Sequence, residues 1–173
     1  MIVWVENKNQ ANTKDSNMLE FISFLSPIDK DILNLIYKAN FSVTENSSIC
    51  RIGKKYFGFL NKAEKQVIIC TNNAKKLGGN RRPRIDDSFN PTPIYIRRAF
   101  RHEAVHVAQY CNRGETLKIL PREKMILNPN KRSALKGSIK VSGTRNREKE
   151  YEAYWMEDRP KMVRYALKRY CLY

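Results

Sequence analysis

Residues 102–106 read His102-Glu103-Ala104-Val105-His106 and lie within Ile94 to Cys111, a run without Gly or Pro. His102 and His106 are the two histidines of a 173-residue chain. Random placement would put them four apart, with Glu directly after the first, on the order of once in a thousand sequences of this composition. Thr92 can cap this run, Pro93 suits its first position and Gly114 lies beyond its end, so the stretch predicts one helix. Residues four apart share a helix face, about one turn above each other. Both imidazoles can therefore reach one ion, which is half of a zinc site. Glu103 is rotated about 100° from His102, leaving its carboxylate beside the ion and free to act on a water.

Upstream, Met18, Leu19, Phe21, Ile22 and Leu25 predict a short amphipathic helix ending before Pro27. Ser26 then reads as an N-cap, with Pro27 at the first helical position, Asp29 in the first turn and Ile28, Ile32, Leu35, Ile36 and Ala39 on the core face. Ile49–Ile52, Tyr56–Leu60 and Val67–Thr71 predict a small antiparallel sheet, with residues 61–65 as the break between the last two strands. Residues 72–93, rich in Asn, Gly and Pro, predict a long loop. Downstream come a short helix after Asn130, a charged helix from about Arg145 to Asp158, and a last helix opened by Pro160. The class is α+β, read as one domain over residues 1–173 with 1–17 as a loose N-terminal arm.

The composition is globular, with 42% hydrophobic and 10% aromatic residues, which argues against disorder. No apolar run is long enough for a membrane helix, and the start lacks the pattern of a secretory signal. The net charge of +16 is uneven: residues 1–48 carry −2, residues 49–113 carry +10 and residues 114–173 carry +8. Basic clusters fall at Arg81, Arg82 and Arg84, at Arg97, Arg98 and Arg101, at Lys131-Arg132 and along the last helix. Such a field suits an anionic partner: nucleic acid, an acidic protein or a cell-envelope polymer. Arg97, Arg98 and Arg101 precede His102 on its helix, so part of the field is expected to face the site and favour an acidic substrate. Cys50, Cys70, Cys111 and Cys171 form no Cys-x-x-Cys pair and read as core thiols, with disulfides open to them in an oxidising setting.

Catalytic zinc needs three protein ligands and an open position. No third His exists, so a carboxylate or a thiolate must complete the set. The His-Glu-x-x-His helix resembles the signature of the zincin metallopeptidases, over residues 97–112 and 147–158 and the sheet before them. The gluzincin branch takes its third ligand from a Glu-x-x-Ala pattern on a later helix. Glu150-Tyr151-Glu152-Ala153 is similar to that pattern. The resemblance implies Glu150 as third ligand with Glu152 as fallback, Zn2+ as cofactor, and a minimal zincin-like metallopeptidase domain. It departs from the thermolysin-like pattern at Tyr154, where an Asp would hydrogen-bond a ligating His. Tyr154 or Glu157 would then take that role. The implied activity is peptide hydrolysis by a zinc-activated water, with Glu103 as general base and Val67–Thr71 as the edge strand holding an extended peptide.

A less specific resemblance, carried by His-Glu-Ala-Val-His-Val-Ala-Gln and Glu-Tyr-Glu-Ala, is to small HExxH proteins of cyanobacteria and their phages. It suggests a cytoplasmic or virion-associated protein. Two other readings stand beside the enzyme. One is a basic structural or binding protein, such as a phage virion component, with structural zinc or none. The other is non-specific nucleic-acid binding through the basic face.

Overall fold

The capping device expected at Ser26 starts the first long helix. In the computed structural model, which describes residues 19–79 and 90–172, Asp29 Oδ2 accepts hydrogen bonds from the Ser26 N–H (3.1 Å) and hydroxyl (2.5 Å). Helix α1 (Pro27–Lys38) follows with Pro27 at its first position. The segment before it, Glu20–Phe24, is a single 3-10 stretch rather than an amphipathic α-helix. The Glu45 carboxylate accepts the N–H groups of Glu20 and Phe21, both at 2.8 Å, and so anchors its first turn. The expected loose arm at 1–17 lies outside the described residues.

The sheet is mixed, not antiparallel throughout. Strands β1 (Ser42–Glu45), β2 (Gly58–Asn61) and β3 (Gln66–Ile69) are ordered β1-β3-β2. β2 and β3 form the expected hairpin, and β1 runs parallel to β3 on its other side. Val67–Thr71, expected as an edge strand, therefore supplies the central strand, because β1 covers its second edge. Ile49–Ile52 forms no strand; it is one helical turn, α2. Only Cys50 of that turn is buried, while Ile52 is 85% exposed, so its β-branched residues never meet the sheet.

The stretch expected to be a loop begins with helix α3 (Thr71–Gly79). Asn73, which reads as a loop signal, turns inward and donates to the carbonyls of Cys50, Gly53 and Tyr56. Its polarity is thus used to bind the α2 segment. The remaining helices are α4 (Thr92–Cys111), α5 (Pro129–Ser142), α6 (Arg147–Met156) and α7 (Pro160–Cys171). α5 is longer than the short helix expected there; Asn128 Oδ1 caps it by accepting from Lys131 N–H.

Helix α4 is the axis of the fold. It contacts α1, α3, α6, α7 and both β2 and β3, and its Ile96, Phe100, Ala104, Val105 and Val107 are fully buried. Disulfides join Cys50 to Cys70 and Cys111 to Cys171, the second tying the C-terminal ends of α4 and α7 together. No helix among the described residues is long and apolar enough to cross a membrane.

An ion pair crosses this core. Arg101 of α4 holds Asp29 of α1 through Nε–Oδ1 at 2.6 Å and a second bond to Oδ2 at 3.0 Å. Asp29 is fully buried and the Arg101 side chain is 13% exposed. Removing one partner of such a pair strands a buried charge. Asp29→Ala, which also removes the α1 cap, should lower the unfolding free energy by about 3–5 kcal/mol in urea denaturation. A loss below about 1 kcal/mol, the value of a surface pair, would show that the pair does not organise the core.

Candidate metal centre

The first turns of α6 pack against the middle of α4, and this brings the Glu150 carboxylate between the two imidazoles. His102 Nε2 lies 3.4 Å from Glu150 Oε2 and His106 Nε2 lies 3.6 Å from Glu150 Oε1. One ligand atom from each of the three residues falls within 4.8 Å of the others. An ion with bonds of about 2.0–2.2 Å in tetrahedral geometry separates its ligand atoms by about 3.3–3.6 Å. The two imidazole–carboxylate distances run to different oxygens of Glu150, so the three residues are close enough to share one small dication once the carboxylate turns a single oxygen to it. The donor set, two imidazoles and one carboxylate with no thiolate, fits zinc.

Both rings are oriented from behind. Glu157 Oε2 lies 3.1 Å from His102 Nδ1, and Gln109 Oε1 lies 2.8 Å from His106 Nδ1. Gln109 Nε2 donates to Glu152 and to the Lys149 carbonyl, so its oxygen is left as acceptor for the His106 N–H. With an ion bound, each imidazole would keep its proton on Nδ1 and offer the Nε2 lone pair on the side of Glu150. Lys131 Nζ braces Glu157 Oε1 at 3.0 Å and Asp158 Oδ2 at 2.6 Å, and it donates to the Tyr154 carbonyl.

Two roles expected from sequence are corrected here. Glu152, the fallback ligand, points away from the site, where it accepts from Gln109 and from the backbone N–H groups of Leu117 and Lys118. Two residues on from Glu150 lies a different helix face, and that face meets the 115–118 segment. Tyr154 is not the hydrogen-bond partner of a histidine. Its ring packs edge-on against His102 with centroids 4.5 Å apart, and its hydroxyl lies 2.8 Å from Ser138 Oγ on α5. Glu157, the other candidate, holds His102. Gln109 was not anticipated, although it lies three residues after His106 on the same helical face.

The charges explain why the cluster suits a cation. Burial lowers the His102 pKa, but hydrogen bonds to Glu150 and Glu157 and the charge of Glu103 outweigh it and push it up to about 10. Burial raises Glu150, and the two histidines more than reverse this, holding its carboxyl well below the usual carboxylate range. Burial raises Glu103 against the opposing pull of His106 and His102. Without an ion, a proton on His102 balances the carboxylates; a dication would take over that role. Tyr154 is pushed up to about 12 by burial, against the Ser138 bond, and stays neutral.

A cleft of about 250 Å³ opens over Glu103, His102, His106 and Glu150, walled by β2 and by Ser138 and Val141 of α5. A second recess on the other side of Glu103 is lined by Tyr56, Phe57, Tyr95 and Tyr154. The expected basic rim is assembled only in part. Arg98 lines the second recess beside His102 and Glu103 while paired with Asp158 at 2.7 Å, Arg101 is spent on Asp29, and Arg97 lines neither space. Arg81, Arg82 and Arg84 lie outside the described residues.

The candidate ligands can be separated by substitution. His102→Ala and Glu150→Gln should each abolish stoichiometric zinc uptake in elemental analysis, and Glu157→Gln should weaken it by about 10–100-fold. Glu152→Gln should leave zinc affinity within a few-fold and lower thermal stability instead. Loss of zinc in Glu152→Gln with retention in Glu150→Gln would reverse the assignment.

No curated protein and no solved structure matches the chain. A family model described as Domain of unknown function (DUF8637) matches residues 21–172, a span that takes in both histidines, Glu103, Glu150 and the helices that carry them. The chain therefore belongs to the DUF8637 family.

Proposed function

We propose that the chain is a zinc-dependent metallopeptidase with a minimal, gluzincin-like centre. The observation that carries this reading is Glu103. The residue is 6% exposed, its carboxylate accepts no hydrogen bond among the described residues, and it lines the cleft beside the three candidate ligands. A structural ion would need no such group, and structural zinc sites close with four protein ligands. An unengaged buried carboxylate at an open cleft is what a general base requires.

His102, His106 and Glu150 would hold the ion, and Glu157 and Gln109 would keep the imidazoles in the ligating tautomer. Bound zinc supplies Lewis acidity that polarises a peptide carbonyl and acidifies a water. Glu103 accepts the proton of the attacking water and returns it to the leaving nitrogen. Burial raises the Glu103 pKa, which brings the carboxylate closer to the poise that both transfers need. β2, an edge strand that walls the cleft, offers its backbone to an extended peptide.

Gly58, the first residue of β2, sets the place of the base. A Cβ there would come within 2.8 Å of Glu103 Cγ and 3.0 Å of its Oε1. The strand can approach the carboxylate this closely only without a side chain.

Glu103→Gln should retain about one zinc per chain and lose at least about 100-fold in hydrolysis of a fluorescence-quenched protein substrate. Wild-type turnover in that variant would remove the peptidase reading in favour of a structural protein. Gly58→Ala should keep zinc and the melting temperature near wild type while lowering kcat about tenfold or more by moving the base. Unchanged kcat would show that β2 does not position Glu103.

A further inference from the structure

A recess larger than the metal cleft lies elsewhere on the surface. A groove of about 920 Å³ lies between α5, the 122–127 segment and the start of α6. Its rim carries Arg122, Arg132, Lys136, Lys140 and Arg147, against the single acid Glu123. Arg122 pairs with Glu148 at 3.2 Å; among the described residues the other four cations pair with no carboxylate. All four are exposed. The floor is apolar, formed by Met125, Leu127, Leu135, Ile139 and Tyr151, and Ile126 stands at the edge 77% exposed.

We infer that this groove binds an acidic polypeptide segment bearing apolar side chains, with carboxylates on the rim and aliphatic groups on the floor. Charge complementarity selects an anion, and the floor selects among anions. A nucleic-acid strand would need an aromatic face for its bases. The one aromatic ring in the groove, Tyr151, is covered by the Arg122 guanidinium 3.1 Å from its centroid and offers no free face. Phosphates would also have to lie over buried aliphatic side chains.

The groove and the metal cleft are linked by α5. Leu135, Lys136, Ile139 and Lys140 face the groove, whereas Ser138, Val141 and Ser142 face the cleft from the opposite side of the same helix. A helix with side chains is about 10–12 Å across. A chain seated in the groove can therefore round α5 and enter the cleft within about 4–8 extended residues. That the segment belongs to a substrate rests on the peptidase reading; that it binds does not.

The test is binding, measured on full-length Glu103→Gln protein so that no turnover is needed. The probes are a fluorescein-labelled peptide repeating Glu-Glu-Leu, its Glu-Glu-Ser counterpart, and a labelled single-stranded oligonucleotide of equal charge, each followed by anisotropy. The Leu peptide should bind at least fivefold more tightly than either other probe. Lys136→Glu with Lys140→Glu should weaken it at least tenfold, and Ile126→Ser about threefold. Lys161→Glu with Lys168→Glu, the same charge change on exposed α7 positions, should alter it less than twofold. Equal loss in both charge-reversed variants would reduce the effect to net charge and overturn the proposal. Tighter binding of the oligonucleotide, or equal binding of the Leu and Ser peptides, would overturn it as well. Loss of zinc or of hydrolysis in other variants bears on the peptidase reading and leaves this result unaffected.

Discussion

The carboxylate of Glu150, held between the Nε2 atoms of His102 and His106, is the contact on which the rest of the centre depends. It joins two helices through groups that are all partly or fully withdrawn from water. Hydrogen bonds from neighbouring polar groups offset the cost of that burial. Glu157, Lys131 and Asp158 do this on the His102 side, and Gln109 with Glu152 does it on the His106 side. The outcome is two braced imidazoles and one carboxylate gathered closely enough to share an ion. Glu103 stands apart because it accepts no hydrogen bond among the described residues, which is why the proposed chemistry is assigned to it.

The sheet serves this centre by bringing backbone close to it. β3 is pinned on both edges, by β1 and by β2, and is fully buried at Val67 and Ile69. β2 is thereby fixed at the wall of the cleft, and Gly58 meets the side chain of Glu103. A short, three-stranded sheet is enough for this purpose because α4, packed against β2 and β3, supplies most of the core contact.

Positive charge is divided between two uses. Some cations are structural: Arg101 on Asp29, Lys131 on Glu157 and Asp158, Arg98 on Asp158. Others on α5 and the start of α6 remain exposed and surround an apolar floor. Net charge alone does not distinguish these, since a paired and an unpaired arginine count the same. The distinction decides where an anionic partner can be recognised.

Local chemistry was legible in the sequence. The four-residue spacing of the histidines, the Ser26 and Asp29 cap, the β2–β3 hairpin and the α4, α6 and α7 helices all follow from contacts within a few residues of each other. Glu150 beside the histidines was expected from the resemblance alone, with Glu152 as its fallback, and the sequence did not separate the two; the packing of α6 on α4 does. What could not be read depended on distant partners. Asn73 is helical because it faces the carbonyls of the α2 segment, and Ser42–Glu45 is a strand because β3 offers it an edge. Arg101 is turned inward because Asp29 waits there. The sequence by itself determined which helix faces can bear ligands, since helical period is a local property. Only the tertiary structure decided which carboxylate answers each histidine and which arginines stay free, since those depend on which elements come to lie side by side.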